Sequence, residues 1–183
     1  MKLNLPNILT LARIAMIPAF LIVLAPGVVA DQGAARIAAA IIFIAASITD
    51  FLDGYIARRF KMVTTFGKFA DPLADKLLVS AALIALTGLG DLPAWVSALI
   101  ISREFIVTGL RLLAVGEDIV IAASFWGKLK TAAQMLMIII LLPKFTYLPI
   151  AAAGTFLIIL SVALTLISMI DYIVKYRKLF IEK

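Results

Sequence analysis

Apolar residues run along this chain in six long stretches divided by short polar breaks. They extend from about Asn7 to Ala30, from Ala34 to about Arg58, from about Asp71 to Leu89, from Pro93 to Val115, from about Ser124 to Leu142 and from about Tyr147 to Val174. The breaks carry turn chemistry: Asp31-Gln32-Gly33, the run from Gly88 to Pro93, Gly116-Glu117-Asp118, and the run from Pro143 to Pro149. Each stretch approaches the length of a membrane-crossing helix, about 20 residues. The pattern predicts an all-α integral membrane protein, one catalytic bundle of six transmembrane helices over residues 1–183. The first stretch follows Lys2 as the apolar part of a signal peptide would, but it is too long for one and Arg13 interrupts it.

Composition sharpens this picture. Of 183 residues, 64% are apolar and 15% charged, and the mean hydropathy is +1.13. A soluble domain has about 45–50% apolar and about 25% charged residues. Six spans use up the length and leave none for a separate soluble domain. Cys and His are both absent. That excludes thiol chemistry, His general bases and Cys/His zinc sites. Lys and Arg gather on the side that would hold both termini and the second and fourth connections, with Arg58, Arg59, Lys61, Lys128 and Lys130 among them. The opposite side has Arg36 and Lys144. The termini are therefore expected in the cytoplasm. The net charge of +6 reads as a basic rim against anionic headgroups, not as a nucleic-acid surface.

Four of the eleven acids fall between Asp50 and Asp75. On a helix, Asp50 and Asp53 are about 60° apart, with Gly54 and Ala57 on the same stripe. Small residues beside carboxylates let another group come close to the helix. Asp71 and Asp75, four apart, share a face of the next span. A helix that starts at Ala34 puts Asp50 about 24 Å along it, in a hydrocarbon core about 30 Å thick. The hairpin thus brings all four acids to the depth of lipid phosphates, at the cytoplasmic interface. Clustered carboxylates repel unless a cation neutralises them. Oxygen ligands of this kind suit Mg²⁺ or Mn²⁺, and two such ions would stabilise a transferring phosphoryl group.

Each residue also has a plainer reading. Asp71 before Pro72 has the form of a helix N-cap with Pro at the first helical position. Asn7 could cap the first span, while Thr10 and Arg13 share a face that could meet a nucleotide. Arg103 lies deep in the fourth span, where a charge is costly and points to function or to a buried structural pair. Glu104 could neutralise it, although neighbours at i and i+1 do not face each other on a helix. Arg103 and Arg111 point to the same side. Lys128 and Lys130 open the fifth span and could instead snorkel to the interface. Intramembrane acids with Arg103 also suit an ion- or proton-coupled transporter. Against that, the acids cluster at one interface and trace no path across.

The segment reads Asp50-x-x-Asp53-Gly54-x-x-Ala57-Arg58, eight residues, then Gly67-x-x-x-Asp71-x-x-x-Asp75. This resembles the signature of the CDP-alcohol phosphotransferases, membrane enzymes of phospholipid synthesis, and matches every signature position. The resemblance implies that Asp50, Asp53, Asp71 and Asp75 hold two divalent ions, and that Asp75 is also the general base. It implies a CDP-lipid site at Asn7, Thr10, Asp53, Gly54, Ala57, Arg58 and Gly67, with Arg58 pairing to an acid. Ser102-Arg103-Glu104-Phe-x-Val-Thr108-Gly109-Leu-Arg111, followed by Gly127-Lys128-x-Lys130-Thr131, is similar to bacterial members that join CDP-diacylglycerol to glycerol 3-phosphate. By that likeness Arg103, Arg111 and Lys128 bind the acceptor's phosphate. Relatives on the same scaffold use inositol phosphate. Homodimers are expected by analogy with the family.

Overall fold

The computed structural model describes residues 5–60, 65–116 and 124–176. These form six helices: α1 (Leu5–Leu24), α2 (Gln32–Arg59), α3 (Thr65–Gly88), α4 (Ala94–Gly116), α5 (Phe125–Leu141) and α6 (Leu148–Tyr176). Among the described residues there are no strands. Three helices contain segments long and apolar enough to cross a membrane: Asn7–Leu24, Gln32–Gly54 and Leu148–Lys175. An integral membrane protein follows from these. The other three are shorter or carry more charge, such as Arg103, Glu104 and Arg111 in α4.

The chain divides into two compact units. The first comprises residues 1–91 with 141–144, and the second residues 92–140 with 145–183. In the first, α1 packs on α2 and α3. The inward face of α2 is built of Ala35, Ala39, Ala40, Phe43 and Ala46, all buried. Its outward face carries Ile37, Ile41, Ile48 and Phe51, the last 71% exposed. A soluble helix has the opposite arrangement. Here small side chains let backbones approach, and large ones face the surroundings, as packing in lipid requires. Phe20 of α1 fills the remaining gap against Phe43, ring centroids 6.4 Å apart.

Local chemistry sets most of the helix ends. Asp31 caps α2, its carboxylate accepting from the Gly33 amide at 2.9 Å and the Ala34 amide at 3.2 Å. Asp31→Ala is expected to cost about 1 kcal/mol, read from the thermal midpoint in detergent. At the end of α3 the Gly90 amide reaches Thr87 O and the Asp91 amide reaches Leu86 O, with Gly90 at φ +75. That is the paired bonding of a Schellman turn, and its left-handed position suits Gly. Asp91 then accepts from Arg36 Nη1 at 2.5 Å and pairs with Lys144 Nζ at 2.9 Å. Arg36, Asp91 and Lys144 so pin three segments of the first unit at the end of α2 remote from its acids.

Three boundary expectations need correction. The first stretch stops at Leu24, not Ala30, because the chain turns at Pro26-Gly27, with Gly27 at φ +82. Asn7 lies inside α1 and is buried, so it is not a cap. The third helix starts at Thr65, which places Asp71 and Pro72 well inside α3 and removes the N-cap reading. The first two turns of α3 are polar and mixed, so hydropathy alone begins the span too late.

In the second unit α4 packs on α6. Its core joins Val96, Ile100, Val107, Met137, Ile138 and Leu164 to a buried polar seam of Ser97, Gln134, Ser161, Thr165 and Ser168. Gln134 Nε2 donates to Thr165 Oγ1 at 3.2 Å, tying α5 to α6. Thr165 in turn bonds back to Ser161 O at 2.6 Å, as a hydroxyl within an apolar helix must to be satisfied.

Candidate functional site

Helix periodicity places Asp50 and Asp53 on one stripe of α2, and the fold sets Arg13 of α1 against both. Arg13 is fully buried. Its Nη1 lies 2.5 Å from Asp50 Oδ1, and its Nη2 donates to Asp53 Oδ2. Thr10, one turn earlier on α1, donates to the same Asp53 oxygen at 3.5 Å. Asp53 is 2% exposed, whereas the Asp50 side chain is 34% exposed. Asp53 is therefore the inner carboxylate and Asp50 the one open to an incoming group. Gly54 follows on the same stripe, partly exposed. Asp75 is half-buried on α3 in the same unit, beside buried Ala74. Ala57, Arg58, Gly67 and Asp71 lie outside the residues whose side-chain surroundings are described.

Arg13 supplies a positive charge against both carboxylates. The donors present, carboxylate and hydroxyl, are oxygens and fit Mg²⁺ or Mn²⁺ better than a soft metal. Among the described residues no three acids converge, so the geometry on view is the Asp50–Asp53 pair. The acid's partner is also new. Arg13 is a partner that the motif did not name, and Arg58, the expected one, lies outside the residues whose side chains are described. The signal was present in the sequence, since a charge in the middle of a strongly apolar segment needs a counter-ion.

The second unit holds a cationic cluster. Arg103 is buried at 5% exposure. Its Nη1 donates to Glu104 Oε1 at 3.0 Å, so the neighbouring acid does neutralise it. The bond forms because Glu104 also accepts from Lys130 Nζ of α5 and stands between the two helices. Lys130 is correspondingly buried at 2% exposure and does not snorkel. Lys128 is exposed on the first turn of α5. Arg111 Nη2 donates to Tyr172 Oη of α6 at 2.6 Å. Among the described residues, Arg103 Nε and Nη2 and Arg111 Nε are buried without an acceptor. Buried guanidinium donors left unpaired are costly, and an anion would complete them. Sequence reasoning did not find Tyr172, which lies far along the chain from both arginines.

Residues 3–168 match the CDP-alcohol phosphatidyltransferase family. The chain is 56% identical over 147 residues, 76% of each chain, to the CDP-diacylglycerol–glycerol-3-phosphate 3-phosphatidyltransferase of Bacillus subtilis. It is 46% identical over 173 residues, 94% of this chain and 81% of the other, to a probable phosphatidylglycerophosphate synthase of Mycobacterium tuberculosis. A CDP-diacylglycerol–glycerol-3-phosphate 3-phosphatidyltransferase of Rickettsia bellii is 38% identical over 182 residues, 97% of both chains.

Proposed function

The chain belongs to the CDP-alcohol phosphatidyltransferase family, and from that membership we propose that it is a phosphatidylglycerophosphate synthase. It transfers the phosphatidyl group of CDP-diacylglycerol to sn-glycerol 3-phosphate and releases CMP. The observation that carries the choice of a phosphorylated acceptor is Arg103, buried with two donors awaiting an anion, and the likeness to the glycerol-3-phosphate enzymes selects among phosphorylated alcohols. Glycerol 3-phosphate supplies one, while serine offers no phosphate.

The residues divide the work. Asp50, Asp53, Asp71 and Asp75 would hold two Mg²⁺ or Mn²⁺ ions, whose chemistry is to neutralise charge on the diphosphate and on the departing CMP. Asn7, Thr10, Asp53, Gly54, Ala57, Arg58 and Gly67 form the bed of the CDP-lipid. Arg103, Arg111 and Lys128 take the acceptor's phosphate. Asp75 accepts the proton of the glycerol 1-hydroxyl, whose oxygen attacks the phosphorus bearing the diacylglycerol. The bond from that phosphorus to the oxygen of CMP breaks, and phosphatidylglycerophosphate remains in the membrane. All six helices span the cytoplasmic membrane in this reading, with the site facing the cytoplasm. That orientation rests on the excess of Lys and Arg on one side. The protein acts as a homodimer.

Purified protein given CDP-diacylglycerol with glycerol 3-phosphate, inositol phosphate or serine tests reaction and acceptor together. CMP release is expected with glycerol 3-phosphate alone, and EDTA is expected to abolish it until Mg²⁺ or Mn²⁺ is returned. Release with serine, or full activity after chelation, would remove the reading.

A further inference from the structure

Tyr172 of α6 is buried at 3% exposure among charged groups. Arg103 Cζ lies 5.4 Å from its ring centroid and Arg111 Cζ lies 5.5 Å from it. Its hydroxyl accepts from Arg111 Nη2 at 2.6 Å. Two guanidinium groups brought to one buried ring repel each other, and the negative face of the ring offsets that repulsion. The ring also limits the rotamers open to both long side chains.

The donors already in use decide which edges remain. Arg103 has Nη1 on Glu104, so its Nε–Nη2 edge is the one without an acceptor among the described residues. That edge can grip two phosphate oxygens side by side. Arg111 has Nη2 on Tyr172, and its Nε is left. A Cβ on Gly127 would stand 4.0 Å from both Arg103 Nη2 and Tyr172 Cε2. The absence of a side chain there keeps space beside that edge. We propose that Tyr172 is a positioning residue that holds Arg103 and Arg111 with their unbonded N–H edges set for the acceptor's phosphate. It touches neither substrate nor reacting atoms. The inference rests on Arg103 and Arg111 being that phosphate site.

The test is steady-state kinetics of the full chain at saturating CDP-diacylglycerol, with inorganic phosphate as a competing probe. Tyr172→Leu removes the ring and is expected to raise KM for glycerol 3-phosphate and Ki for phosphate by about 30-fold. Tyr172→Phe keeps the ring, loses one hydrogen bond, and is expected to raise both by about 3- to 10-fold. In both variants kcat and KM for CDP-diacylglycerol should stay within about twofold of the parent, since the ring contributes to acceptor binding alone. A merely structural Tyr172 would instead change kcat and both KM values together. That pattern, or parental KM and Ki in the Phe variant, overturns the proposal. Arg103→Ala separates the two layers. If it leaves KM for glycerol 3-phosphate unchanged, the phosphate site itself is wrong. If it raises KM while neither Tyr172 variant does, only the role of Tyr172 fails.

Discussion

Asp75→Asn is expected to bind CDP-diacylglycerol with near-parental affinity and to lose about 10²–10⁴ in kcat, the usual contribution of a positioned general base. The substitution preserves shape and removes the ability to take a proton. His is absent from the chain, so another carboxylate or a water would have to substitute for it, at a poorer position. Asp75 is half-buried on α3, and the amide can occupy the same volume. Binding is followed by retention of labelled CDP-lipid, turnover by CMP release. Near-parental turnover would take the proton-accepting role from Asp75. Loss of lipid binding together with turnover would mark it as a ligand for the diphosphate assembly first.

Arg13→Ala is expected to destabilise the first unit by about 3–5 kcal/mol in the presence of chelator, the range for removing one partner of a buried ion pair. Arg13 is fully buried and meets Asp50 and Asp53 together, so its loss takes from both carboxylates the guanidinium they share. The same two oxygens that Arg13 neutralises are the proposed cation ligands. Millimolar Mg²⁺ should therefore recover more stability in the variant than it adds to the parent. Thermal unfolding in detergent, with and without Mg²⁺, checks this. An unchanged midpoint in chelator would show that Arg13 is not the counter-ion of the pair.

Much of the fold was legible because a membrane span writes itself into local hydropathy. Six apolar stretches became six helices. The errors arose where hydropathy and backbone part company. Pro26 and Gly27 end α1 inside an apolar run, and α3 begins in a polar segment that hydropathy discounts. The acids at Asp50 and Asp53 were readable because their relation is set by one helix's own periodicity. The pairings of Arg13 and Tyr172 were not, since their partners lie on other helices, 40 and 61 residues away. Glu104 taught a related lesson. The rule for neighbours on one helix argued against its bond to Arg103, and the third group, Lys130, which fixes where its carboxylate stands, comes from α5.

The alanine face of α2 has a consequence for how this protein tolerates change. Where inward side chains are already minimal, cohesion comes from the closeness of two backbones, so one added methylene there would act as a wedge. The outward Ile37, Ile41 and Ile48 keep about half of their surface exposed. Exchanging them for other aliphatic groups alters what the acyl chains meet more than what the helices meet, so the thickness and fluidity of the host bilayer weigh heavily in which exchange persists.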